Sequence, residues 1–430
     1  MKALRKILLS NLALMLVSNF SLMVLMITTG CAGKNSDTTH ITANTTMDAE
    51  QLAQAGEQLV TPFTFMLADK VFDMSLSKDP NNKRAQFYKN LLKAPMTLKG
   101  AAERLKPYAN KYVSGIEYQK SMNKIPNSPA RNFLFDGTQD IKTAADLQNL
   151  LVQYRQGVSD FRTWVRQNED LQLTLYLNWA LVVPLSQEAA DDCTVIANDP
   201  NNVTVDCNYR EIAQRKITGA DMVALSQISA GEILYLMMAT TYSVDGIELY
   251  FDNHPSGSST SSSPAQIQAE FERMPGVGKL RADHNLADLT SFGADFSAAW
   301  KYFTQNQSAL CPSGSYSALD QATGKKNRKG YVFDRGICTN GVDSDFLVAM
   351  NLIDQALQGP VYFPMKNGNG VRQNTLFDPF KIARGPIQDL RSVAPSSYDG
   401  LGNVTALRDP TVGGIFPNGD SLKLWSSSSK

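Results

Sequence analysis

Residues 49–82 read AEQLAQAGEQLVTPFTFMLADKVFDMSLSKDPNN, and their spacing sets the expected architecture of the chain. Phe65, Ala68, Phe72, Ser75 and Leu76 recur at three- and four-residue steps, which places them on one face of a helix. Asp79-Pro80-Asn81-Asn82 then stops that helix, because proline has no amide hydrogen and its ring clashes with the preceding turn. A first helix from Ala49 precedes it, the two joining near Pro62. The stretch is thus a helical hairpin, and Lys83 to Leu92, with Ala85 and Phe87, continues the register briefly.

Upstream, Lys2, Arg5 and Lys6 precede an apolar run from Ile7 to Ile27 and then small residues up to Cys31, the layout of an export signal. Small residues directly before a cysteine, here Thr28-Thr29-Gly30-Cys31, resemble the lipobox of bacterial lipoproteins. The resemblance implies that 1–30 is a cleaved signal peptide and that Cys31 becomes the N-terminus, carrying acyl chains such as palmitate. The family usually has leucine three residues before the cysteine, whereas Thr28 stands here, with Ile27 one further back. The 21-residue apolar run is also long enough to span a bilayer, so an uncleaved anchor is the alternative. Both readings send residues 32 to 430 across the membrane, since positive charge ahead of the run keeps the N-terminus inside. Ala32 occupies the place where an aspartate signals inner-membrane retention in that family. The resemblance therefore implies lipid anchoring at the outer membrane, facing the periplasm, with an inner-membrane anchor facing the periplasm as alternative. Residues 31–46, rich in Ser, Thr, Asn and Gly, are expected to be the lipidated tether.

Counted over 34 residues from Ala49, the hairpin resembles a tetratricopeptide repeat. Gly56 falls at the family's small position eight, Ala68 at its alanine twenty, Phe72 at the aromatic twenty-four, Ser75 at the small twenty-seven and Pro80 at the proline thirty-two. Leu52, Ala55 and Leu59 replace the commoner Trp, Leu and Tyr, so the first helix departs from the pattern. Pro95, Gly100 and Pro107 then break the period. The resemblance implies a helical-repeat surface that holds a peptide or protein. A second Asp-Pro-Asn-Asn, at 199–202, has no repeat around it, since Asp192 stands where the aromatic residue would be.

The expected fold is all-α: helical hairpins, tetratricopeptide-like at the N-terminal end, with long irregular loops and an irregular C-terminal tail. The expected segments are a helical part at 47–125, a helical domain at 126–253 holding a Cys193 to Cys207 loop, a helical segment at 264–360 holding a Cys311 to Cys338 loop, and the tail at 361–430. Thr143-Ala144-Ala145-Asp146 resembles a capping box ahead of Leu147, Leu150, Leu151, Tyr154, Val158, Phe161 and Val165 at helical spacing. Leu171, Leu173, Leu175 and Leu177 alternate like a strand, yet nearly every later position to Leu185 is apolar, and we read the stretch as helix. A long helical run leads from Thr218 towards Tyr250, and residues 254–263 form a Ser-, Gly- and Pro-rich linker. Two further helices are marked by Leu286, Leu289, Phe292, Phe296, Trp300 and Phe303 and by Phe346, Met350, Ile353 and Leu357, the second ending at Gly359-Pro360.

Charge is balanced, 41 basic against 41 acidic residues, so no global field draws the chain to nucleic acid. Apart from Cys31, the cysteines are Cys193, Cys207, Cys311 and Cys338, an even number in an exported chain, and sequence neighbours are the expected disulfide partners. Zinc is the competing use of cysteine, but no C-x-x-C occurs and neither His254 nor His284 sits at ligand spacing, so no metal and no cofactor is expected. G-x-S-x-G and H-E-x-x-H are absent, and Ser75-Leu76-Ser77-Lys78 matches S-x-x-K without its companions. Asp191-Asp192 and Asp343-Ser344-Asp345 lack the glycine and distal glutamate of a calcium loop. No catalytic residue is therefore assigned. Lys325, Lys326, Arg328 and Lys329 form a basic loop, followed by Tyr331 and Phe333, that is a candidate contact for anionic lipid or glycan. The function expected is a non-catalytic envelope lipoprotein that binds an envelope protein or peptide. The alternatives are a periplasmic small-ligand carrier or transporter accessory protein, with Trp164 and Trp179 lining a pocket, and a cell-wall or peptide hydrolase.

Overall fold

The computed structural model describes residues 38–61, 63–125, 127–178, 193–208, 212–217, 219–253, 263–305, 344–366, 372–400 and 402–419. About 55% of it is helical, and small antiparallel sheets make the fold mostly helical rather than all-α. The chain folds as two compact units. One gathers the described parts of Met1–Lys142 and Gln153–Ile233, the other those of Thr143–Val152, Leu234–Gln305 and Val342–Lys430.

Among the described residues the first unit starts with strand β1, Thr38–Asn44. Ile41 and Ala43 alternate with polar neighbours and are buried, so this part of the expected 31–46 tether is a strand with one face in the core. Helix α1, Ala49–Gln58, starts on a capping box: Asp48 accepts the Gln51 amide at 2.8 Å and the Gln51 side chain accepts the Asp48 amide at 3.0 Å. Helix α2, Phe65–Lys78, packs back on α1 at Gly56, where a Cβ would lie 2.7 Å from the Phe72 ring. Helix α3, Lys83–Met96, is capped by Asn82, whose side chain accepts the Ala85 amide at 2.8 Å. The Phe72 and Tyr88 rings stack at 5.2 Å between α2 and α3. Shorter helices follow to Phe135.

Helix α4, Ala144–Gln167, brings Phe161 and Trp164 edge-on to Phe87, each at 5.8 Å. It comes so near α3 that a Cβ at Gly157 would lie 2.6 Å from the Ala94 backbone. Four more strands of this unit lie among the described residues: β2 Leu173–Asn178, β3 Cys193–Asp199, β4 Asn202–Asn208 and β5 Ile212–Ile217. They pair antiparallel as a β1-β4-β3 sheet and a β2-β5 ribbon. The helix expected from Leu171 is thus a strand over 173–178. The short leucine alternation was the true signal there, with Leu175 buried in the core. The expected Cys193 to Cys207 loop is a hairpin for the same reason: Val203 and Val205 alternate in sequence with polar residues and are fully buried in the core, while Asn202 and Asp206 are only partly buried.

Helix α5 spans Gly219–Thr240 and is apolar along most of its length. No helix of the described residues is long and apolar enough to cross a membrane. In the second unit, the capping box at Thr143 forms as expected, Thr143 accepting the Asp146 amide and Asp146 accepting the Thr143 amide at 2.9 Å. Helices α6 Pro264–Arg273, α7 Asp288–Gln305 and α8 Ser344–Gln358 follow, α7 and α8 at the places their apolar spacing marks. The expected irregular tail carries two hairpins, β6 Val361–Lys366 with β7 Arg372–Phe377, and β8 Pro395–Tyr398 with β9 Val404–Leu407. Strands of four to six residues give no sustained period, which is why composition alone read as irregular. Asp378, buried beyond β7, holds Arg384 through both carboxylate oxygens at 2.7 Å.

Candidate functional site

A network of mostly buried polar side chains joins α1 to α3 and β2. Glu50 and Glu57 stand seven residues apart on α1 and so share a face, which α3 meets with Arg84 in its first turn. Arg84 donates to Glu50 at 2.8 Å, to Glu57 at 2.7 Å and to the Thr174 carbonyl of β2 at 2.7 Å. Tyr88, one turn on, donates its hydroxyl to the second Glu57 oxygen at 2.7 Å, and Asn82 donates to Glu50 at 2.9 Å. Glu57, Arg84 and Tyr88 are all buried. Burial works against the charge on Glu50, but its bonds to Asn82 and Arg84 outweigh it and hold the carboxyl below its ordinary range. Burial also opposes the charge on Arg84, and the two glutamates more than restore it. Burial and the neighbouring Glu57 charge push the Tyr88 phenol far up, so it stays a hydrogen-bond donor. The cluster ties α1, α3 and β2 together.

Another carboxylate, partly buried, is differently placed. Glu232 of α5 has one oxygen enclosed without a hydrogen-bond partner among the described residues. Burial pushes its pKa up to about 7, against a smaller downward pull from the Tyr154 hydroxyl of α4. Nothing in the sequence separated Glu57, Arg84 or Glu232 from the solvated charges of an ordinary helix face. The second unit has its own polar hub, equally silent in the sequence. The buried Gln148 side chain donates to the Ala239 and Tyr242 carbonyls at 2.8 and 2.7 Å and accepts from Arg281 at 3.0 Å.

The residues singled out by sequence fall in separate places. Ser75 donates to the Ala49 carbonyl at 2.6 Å and Lys78 to the Thr45 and Met47 carbonyls, so the S-x-x-K match ties α2 to the β1–α1 connection. His40 pairs with Asp206 across β1 and β4 on an exposed sheet face. His284 accepts the Leu286 amide at 3.3 Å in a turn. Trp164 is partly buried and packs against the core. Cys193 and Cys207 are direct partners in the β3–β4 register. Cys31, Cys311, Cys338, the basic loop Lys325, Lys326, Arg328 and Lys329, and also Tyr331, Phe333, Trp179, His254, Asp191, Asp192 and Asp343 lie outside the described residues. No group of three or more His, Cys, Asp or Glu among the described residues is arranged to hold a metal ion.

A different kind of site appears near the end of α5. Leu234, Tyr235 and Met238 lie at positions i, i+1 and i+4, on one side of the helix, and all three are exposed, Met238 at 84%. Such a face offers apolar contact and, through the tyrosine, one hydrogen bond. Its sequence signal was the absence of polar residues from this part of the run, which reads equally as core. No family model matches this chain, and no curated protein or solved structure matches it either.

Proposed function

We propose that this chain is an exported envelope lipoprotein, acylated at Cys31, that holds a protein or peptide partner on its helical surface and performs no catalysis. The observation that carries the binding reading is the apolar face Leu234, Tyr235 and Met238. Adjacent exposed apolar side chains mark interaction surfaces more often than isolated ones do, because covering them is worth about 25 cal/mol per Å². Methionine and tyrosine suit such a face, one adaptable and the other amphipathic. The tetratricopeptide resemblance supports the same reading. Gly56 meets Phe72, and Ala68 is fully buried, where such a hairpin needs small residues. Glu57 and Arg84 pair with each other in the core of the first unit, which favours a structural use for them over acid-base chemistry.

The test is affinity capture of the tagged, lipidated protein from its native envelope under mild crosslinking, beside a Tyr235→Asp, Met238→Asp variant. A stoichiometric protein partner lost in the variant supports the proposal. Recovery of a small molecule or glycan in place of a protein would replace it with the carrier or hydrolase reading.

A further inference from the structure

Between Lys83 and Phe135 the sequence has eleven basic residues and two acidic ones, in a chain of zero formal net charge. Carboxylates of the first unit answer the earlier part of this surplus. Every cation from Arg84 to Lys106 has a partner: Arg84 with Glu57, Lys89 with Asp69, Lys93 with Asp160, Lys99 with Asp136, Arg104 with Asp140 and Lys106 with Glu103. The pairing then stops. Lys120 and Lys124 are exposed and make no ion pair among the described residues.

The backbone gathers these remaining cations on one face. Lys106–Ala109, Asn110–Ser114 and Gly115–Met122 run on as one helix, since Ala109, Asn110 and Gly115 all keep right-handed helical angles, and Asn110–Ser114 is a π turn. A π turn bonds residues five apart, so Lys111 stands one turn before Ile116. In an unbroken α-helix five residues make about 1.4 turns, which would put Lys111 on the opposite side. Lys120 follows Ile116 by a four-residue step, and helical bonds that continue to Ile125 carry Lys124 one step further. Lys111, Ile116, Lys120 and Lys124 thus line one side over roughly 20 Å, while Tyr118 is buried on the other. All four are exposed, Ile116 at 70%. Glu117 is the one acid in the sequence of this helix, beside three lysines on the row.

We infer that this row is a contact surface for anionic lipid headgroups, with Ile116 reaching the acyl boundary between the lysines. Ammonium groups in a straight, exposed line match phosphates spread over a plane, and an apolar residue set among them is the make-up of a helix lying in a membrane interface. The inference rests on the proposed placement at an envelope membrane and not on the α5 face, so lipid contact and partner capture are read independently.

The test uses the full-length protein in vesicles of phosphatidylethanolamine with either phosphatidylglycerol or phosphatidylcholine. A diazirine amino acid is placed at position 116, and lipid adducts are counted by mass spectrometry. Adducts are expected to be at least five-fold more abundant with phosphatidylglycerol. The double variant Lys120→Glu, Lys124→Glu changes two exposed side chains and is expected to keep the circular dichroism of the parent while its adducts fall to the phosphatidylcholine level. Equal yields in the two vesicles, or an excess that survives the double variant, would overturn the inference. So would adducts in the native envelope to one acidic protein and not to lipid, which would assign the row to that partner.

Discussion

The tetrapeptide Asp-Pro-Asn-Asn occurs twice, at 79–82 and at 199–202, and the two copies sit in unlike regions. Locally they are the same object. Asp79 accepts the Asn81 amide at 2.9 Å and Asp199 accepts the Asn201 amide at 2.9 Å, with proline at the second turn position each time. The first copy stops α2 and caps α3, and the second reverses β3 into β4. Asn82 is buried and bound to both the α3 backbone and Glu50, whereas Asn202 is less buried and its side chain accepts from Thr204 at 3.1 Å. The turn belongs to the four residues, and what it joins belongs to the flanks: helical periodicity before 79, two-residue alternation after 202.

The sharpest way to break the helical side of the comparison is Arg84→Met. It leaves the buried Glu57 without its cation, and urea unfolding at pH 8 is expected to show a loss of about 3–5 kcal/mol. The loss should shrink at pH 5, where a lone buried carboxyl takes up a proton. Glu232 already lives in a milder form of that situation. Its pKa is raised from 4.5 to about 7, so the folded state holds a proton that the unfolded state has lost. Its contribution therefore declines as pH rises from about 4.5 and is fully unfavourable above about 7. Glu232→Gln should remove that slope and stabilise the protein at pH 8 by up to about 3 kcal/mol, read from the same urea series at several pH values.

On the sheet side, the Cys193–Cys207 register fits a cross-strand disulfide that would close a 15-residue loop. Reduction is expected to cost about 3 kcal/mol in the chain-entropy model. Hydrogen exchange should accelerate in β3 and β4 and not in α1 to α3. Between the turns themselves, Asn82→Ala should cost about 1–2 kcal/mol through its lost cap and its lost bond to Glu50. Asn202→Ala should stay within about 0.5 kcal/mol. The smallest contrast is the most exacting: Asp79→Ala and Asp199→Ala should each cost about 0.5–1 kcal/mol and agree within experimental error, because each removes the same turn bond. Unequal losses would show that the surroundings, and not the turn, set its worth.

What could be read from the sequence was whatever is encoded within a few residues. The α1–α2 hairpin, the capping box at Thr143 and the stop at Gly359-Pro360 follow from periodicity and backbone chemistry, and the structure has all three. Strand β1 was not legible, because Ile41 and Ala43 gain their meaning only from Val203 and Val205, some 160 residues away. Strand β2 was misread for a related reason, its alternation being shorter than the apolar run that follows it. The candidate sites divide in the same way. Acylation of Cys31 is what the lipobox resemblance implies, and the pairing of Cys193 with Cys207 comes from their nearness in sequence. Arg84 between Glu50 and Glu57, the half-satisfied Glu232, and the exposure of Met238 were decided only by tertiary structure. The reason is physical: a side chain's type fixes what it can bond, but whether water is there to bond it depends on segments far along the chain.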